Sequence, residues 1–113
     1  MTDWEILLTE QAEDDLRCVY EYIAVTLLAP ATAKNLVRQI VSRIAKISGK
    51  PKSYTFYPKE PWRSRGLRRV NEGNYAIFFL PVEKQHIVAV IRIMYSGRNI
   101  EKILDGISDQ FKL

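Results

Sequence analysis

A chain of 113 residues, 47% of them hydrophobic, has room for one compact domain with a real core and excludes a second one. Its formal net charge of +4 and pI near 9.3 suit an acidic partner: nucleic acid, a nucleoprotein or an acidic protein segment. No charged stretch followed by an apolar run opens the chain at Met1-Thr2-Asp3-Trp4, and no segment approaches membrane-spanning length, so the expectation is a cytoplasmic protein with no membrane partner.

Trp4 to Leu8 is short and apolar, with Trp4, Ile6 and Leu8 on one side, and it stops at Thr9, a good helix N-cap. This predicts a first strand. From Glu10, the apolar residues Ala12, Leu16, Val19, Tyr20, Ile23 and Leu27 recur at helical spacing, while Glu10, Glu13 and Asp14 favour the positive end of the helix dipole. Cys18 lies within this pattern; as the single cysteine it has no internal disulfide partner, and it reads as a small core or boundary residue rather than a nucleophile. Pro30 fits the first turn of a second helix, whose stripe of Ala33, Leu36, Val37, Ile40, Val41, Ile44 and Ile47 is closed by Gly49 and Pro51. The short connection predicts an antiparallel helical hairpin.

Between Lys50 and Arg65 no period persists, and three prolines mark a loop. Trp62 reads as its anchor on the core. Lys50, Lys52, Lys59, Arg63 and Arg65, interleaved with Tyr54, Phe56, Tyr57 and Trp62, have the composition of a nucleic-acid surface with stacking rings. Strands are predicted over Leu67 to Val70, Tyr75 to Val82 and Ile87 to Tyr95, joined by turns at Asn71-Glu72-Gly73-Asn74 and Glu83-Lys84-Gln85 and pairing as an antiparallel meander. His86 falls at the second turn as a solvated or hydrogen-bonded residue. Ser96-Gly97-Arg98-Asn99 then opens a terminal segment in which Ile100, Ile103, Leu104 and Ile107 would pack as one or two helical turns.

The order β-α-α-β-β-β puts both helices on one face of a small, mainly antiparallel sheet, an α+β fold over residues 1–113. The other face would stay partly open. In the last strand Arg92 shares parity with Val88, Val90 and Met94, whereas Ala89, Ile91 and Ile93 would face the helices, so Arg92 is expected on the open face. A charge amid an apolar strand is costly unless it binds something or is paired. A structural pair with Glu60, Glu72 or a terminal acid is the alternative to a binding role. Arg68 and Arg69 are adjacent, so they point to opposite faces and at most one joins Arg92. Tyr95 and Arg98 flank Gly97 at a strand end, a common place for a site.

Thr9-Glu10-Gln11-Ala12-Glu13-Asp14-Asp15-Leu16 with Tyr20, Tyr22 and Ile23, then Pro61 to Arg68, Asn74 to Phe79 and Arg92 to Asn99, resemble in order and spacing the RelE/ParE superfamily of type II toxin-antitoxin toxins. The resemblance covers nearly the whole chain. It implies a growth-inhibiting toxin silenced by a cognate antitoxin protein, with no cofactor or metal, and with DNA reached only indirectly through the antitoxin. RelE-like members cleave messenger RNA on the ribosome without metal, while ParE-like members inhibit DNA gyrase.

The RelE pattern has an arginine after the tyrosine of the third strand, where this chain has Ala76 after Tyr75, and a tyrosine shortly after the terminal arginine, where Asn99 to Ile103 has none. A YoeB-like pattern pairs histidine with tyrosine at the last strand's end, and here Tyr95 has no neighbouring histidine. The long hairpin is also ParE-like. These departures favour gyrase, with Arg65, Arg68, Arg69, Arg92, Tyr95 and Arg98 as target-binding residues. The alternatives are an RNase built from Arg68, Arg69, Arg92, Tyr95 and Arg98, or an inactive relative that retains only antitoxin binding and operon repression.

Overall fold

In a computed structural model of the chain, residues 3–107 are described. β1 (Glu5–Leu8) leads into α1 (Glu10–Glu21), a π turn (Tyr22–Thr26) and α2 (Pro30–Ile47). After a loop come α3 (Trp62–Arg65), β2 (Arg68–Glu72), β3 (Tyr75–Val82), β4 (Ile87–Tyr95) and α4 (Ile100–Ile107). The sheet runs β1-β4-β3-β2, with β1 parallel to β4 and the other pairings antiparallel. The α+β expectation and the meander hold; the last strand, after the two helices and the meander, comes to lie beside the first.

Local chemistry explains each joint. Thr9 caps α1 by accepting the Ala12 N–H at 3.1 Å, and its hydroxyl donates to the Ile91 carbonyl at 2.9 Å. One side chain thus starts the helix and ties it to the sheet. The hairpin tip widens into a π turn, in which the Leu27 N–H donates to the Tyr22 carbonyl at 3.0 Å. Leu28 then reverses the chain in the left-handed region, φ 55°, without a glycine. The predicted stripe overreached here: Leu27 and Val41 are exposed, and so are Val25 and Leu28.

Two cores lie on opposite faces of the sheet. The helical core joins Ala12, Ile40, Ile44 and Ile47 to Ile77, Phe79, Val88, Val90 and Ile93. The expectation of a partly open opposite face is corrected, because Tyr57, Trp62, Leu67, Phe78, Ile91, Met94 and Leu104 form a second core there. Trp62 anchors the loop as expected, 1% exposed, its indole N–H donating to the Leu104 carbonyl at 3.3 Å.

The predicted parity of β4 is also corrected. Pairing jumps from Phe78 opposite Arg92 to Phe79 opposite Val90, so Ile91 is the extra residue of a β-bulge. The inserted residue reverses the alternation: Val88 and Val90 face the helices before it, Ile93 after it, while Ile91 and Met94 enter the second core.

Candidate functional site

β1 covers the edge of β4 only from Ile87 to Val90. Beyond that point helix α1 takes over: the Thr9 N–H donates to the Val90 carbonyl, the Thr9 hydroxyl to Ile91, and Asp15 accepts the Ile93 N–H at 2.8 Å. The same carboxylate receives Arg92 through two bonds of 2.8 and 2.9 Å, a bidentate fork. Both side chains are 11% exposed. Arg92 therefore stands in a part-buried ion pair rather than on an open face, and its partner is Asp15, not Glu60, Glu72 or a terminal acid.

Above this pair, α1 and the sheet end diverge to form a groove of about 610 Å³ lined by Asp15, Cys18, Val19, Tyr22, Tyr75, Ile93, Tyr95 and Arg98. Asp15, Cys18, Val19 and Tyr22 share one helix face by their spacing of three, four and seven residues. Tyr75 and Tyr95 sit opposite each other across β3 and β4 with edge-to-face rings 5.9 Å apart. The turn after β4 is set by the Ser96 N–H on Asn74 O, 2.8 Å, and the Arg98 N–H on Tyr95 O, 3.1 Å. The Tyr95 ring lies where a Cβ on residue 97 would be, so Gly97 is what lets it fold into the groove.

Burial first, then the neighbouring Tyr95 and Tyr22, push the Tyr75 hydroxyl above its ordinary value of 10.0. It stays a neutral donor at physiological pH. With Asp15 bound to Arg92, the described residues of the groove present aromatic rings, hydroxyls and the cation of Arg98. Cys18, expected in the core or at its boundary, is instead exposed on the rim.

The remaining candidates do not converge on this groove. Arg65 lies over the Trp62 ring at 5.4 Å and Arg69 over Phe78 at 5.5 Å, both rings of the second core. Arg68 bonds the Tyr54 carbonyl through Nη1 at 2.6 Å and stacks on Phe56. Along β2, Arg68 is four residues from Glu72, the residue opposite Tyr75, an offset of about 13 Å at ~3.3 Å per residue. Sequence reasoning missed Asp15, Tyr22 and Tyr75 as groove residues, and Gly97 as the residue that makes room for the Tyr95 ring. The helical spacing of Asp15 and Tyr22 carries that signal, but the dipole argument reaches only Glu10, Glu13 and Asp14 and leaves Asp15 without a role.

Among the described residues there is no group of three or more His, Cys, Asp and Glu able to hold a metal ion, and no helix is long and apolar enough to cross a membrane.

The sequence pattern of the ParE toxin of type II toxin-antitoxin system, parDE, matches residues 6–100. Among solved structures the fold is similar to the chromosomal ParDE system from P. aeruginosa, with TM-score 0.67 and 21% identity over 81% of this chain and 95% of that one. It is also similar to a mutant of the E. coli toxin RelE in the free state, with TM-score 0.67 and 9% identity over 98% and 100% of the two chains. The RelBE2 toxin-antitoxin complex from Mycobacterium tuberculosis gives TM-score 0.61 and 15% identity over 84% and 93%. No curated protein matches by sequence.

Proposed function

The chain belongs to the ParE toxin family of type II toxin-antitoxin systems, and from that premise we propose that it arrests growth by binding DNA gyrase and is neutralised by a cognate antitoxin. The observation that supports gyrase over messenger RNA is the dispersal of the arginines. Cleaving RNA without metal needs cations and proton carriers converging on one phosphate. Here Arg92 is held by Asp15, Arg65 and Arg69 lie on rings of the second core, and Arg68 is displaced along β2, while Ala76 stands where the RNA-cleaving pattern has arginine.

What remains at the groove suits adhesion. Rings that are part exposed and part buried, with hydroxyls at their edges, are the side chains that dominate protein contacts, and Arg98 adds a cation. Tyr95 and Arg98 are thus the target-binding residues of this reading, with Tyr22 and Tyr75 beside them. The alternative, ribosome-dependent cleavage of messenger RNA, draws support from the same Tyr95 and Arg98 lining one cavity.

Expression without antitoxin, followed by parallel assays of gyrase supercoiling and of ribosome-bound transcript cleavage, tests the reading. Lost supercoiling with intact transcripts is expected. Codon-positioned cuts with normal supercoiling would overturn it in favour of the nuclease, and unaffected growth would point to an inactive relative. Tyr95→Ala and Gly97→Ala, which removes or displaces the ring, should each weaken gyrase inhibition about tenfold, ~1.4 kcal/mol, while the thermal transition is retained.

A further inference from the structure

The loop before β2 holds a second arrangement that the groove does not use. Phe56 is tied to the edge of β2 by its bridge to Arg68, with the Tyr57 N–H on Leu67 O at 2.8 Å and the Arg69 N–H on Thr55 O at 3.1 Å. Two guanidiniums lie over its ring: Arg68 with Cζ 3.9 Å from the centroid and Arg63 at 4.2 Å. Each is drawn to the π system, yet two like charges on one ring repel.

Among the described residues no carboxylate is in ion-pair contact with either. Glu60, three residues before Arg63, has both carboxylate oxygens on Ser64, at 2.8 Å from its N–H and 2.6 Å from its hydroxyl. The bonds from Ser64, and to a lesser degree the nearby charge of Arg63, hold the Glu60 carboxyl below its ordinary range. Glu83 pairs with Lys52, and Glu101 faces Lys59 at 3.9 Å. Arg68 is satisfied only at Nη1, and its Nε is sealed from water with no acceptor. Burial, then the charge of Arg63, pushes the Arg68 guanidinium below its ordinary range.

We propose that Arg63 and Arg68, stacked on Phe56, form an oxyanion site that takes a backbone phosphate of nucleic acid. A phosphodiester supplies the negative charge that no ion-paired carboxylate gives this pair, and the exposed Arg63 fork matches its paired oxygens while the Arg68 charge adds to the attraction. The inference rests on the reading that the toxin acts on a nucleic-acid-bearing target, and holds for gyrase with its DNA and for the ribosome alike. It adds Arg63 to the binding residues and gives Arg68 a role apart from the groove.

The test uses the full chain, with two probes. Inorganic phosphate, titrated into the isotope-labelled toxin, should shift the Arg63 and Arg68 Nε–H signals in NMR spectra. A labelled short DNA duplex should bind with an affinity that falls with salt, and Arg63→Ala should weaken it about tenfold and flatten the log–log salt slope by roughly 0.9, one phosphate contact. Arg63 is exposed, so its replacement spares the fold even if Arg68→Ala does not. No phosphate-dependent shift, or unchanged duplex binding in Arg63→Ala, would overturn the site; so would preference for a glutamate-rich peptide over the duplex. Supercoiling inhibition reads separately: if it persists where phosphate binding is absent, only this site is lost. If phosphate binds but gyrase is untouched, the site stands and the gyrase reading falls.

Discussion

Arg92 shows how one partner changes the meaning of a residue. An arginine amid an apolar strand signals binding or pairing, and Asp15 decides for pairing by taking both guanidinium bonds and the Ile93 N–H. Removing Arg92 leaves a carboxylate that is 11% exposed with its main counter-charge gone. Arg92→Ala should therefore lower unfolding free energy by about 3 kcal/mol in urea titrations, so that any lost toxicity tracks lost fold. A variant of parental stability would remove the pair from the framework. Tyr75 carries a different signature. Its folded pKa is raised above 10.0, so the neutral form is the one folding favours: no penalty exists below 10.0, and stability falls as pH rises from there through the higher folded value. Tyr75→Phe should lose less stability than the parent across that alkaline window, as read from urea midpoints. Equal losses would refute it.

Elements meet through side chains that serve two neighbours. Thr9 caps α1 and bonds β4, and Asp15 continues that seam where β1 stops, so the helix replaces a strand along the rest of the β4 edge. The bulge at Ile91 belongs to the same joint, since the extra residue lies just where the edge partner changes from strand to helix. The hairpin tip is less settled. Leu28 adopts φ 55° while 83% exposed, a conformation costly to a residue with a Cβ and with little burial to offset it. Leu28→Gly should raise the thermal midpoint, by about 0.5–1 kcal/mol in stability once the glycine's own entropy is counted. A fall in the midpoint would mean that Leu28 makes contacts worth more than its backbone strain.

The whole molecule is one sheet between two cores, and β3 and β4 contribute to both: Ile77, Phe79, Val88, Val90 and Ile93 on one face, Ala76, Phe78, Leu80, Ile91 and Met94 on the other. Shared strands couple the faces. Ile44→Ala in the helical core and Leu104→Ala in the second should each shift a single cooperative transition, by about 2–5 kcal/mol. Two separable transitions in either variant would show that α4 and the loop fold apart from the hairpin. The second core also bears on the candidate surface: with that face covered, the end of the sheet beside α1 and the loop edge at Phe56 are two places where polar groups and rings meet.

Element order, the helical hairpin, the meander and the toxin family were legible along the chain, because apolar period, caps and turn residues act over a few neighbouring positions. Tyr95 and Arg98 at a strand end, and Arg68 and Arg69 on opposite faces, follow from the same local rules and hold in three dimensions. The partner of Arg92 lies 77 residues away, and no local pattern names it. Nor does alternation reveal a bulge, since one extra residue leaves the apolar run of β4 intact while reversing which side chains face the helices. The covered face depended on Trp62 and Leu104, 42 residues apart in sequence and joined by packing and by the indole hydrogen bond. Local periodicity sets what a segment becomes; long-range packing and pairing decide which of its charges stay available to another molecule.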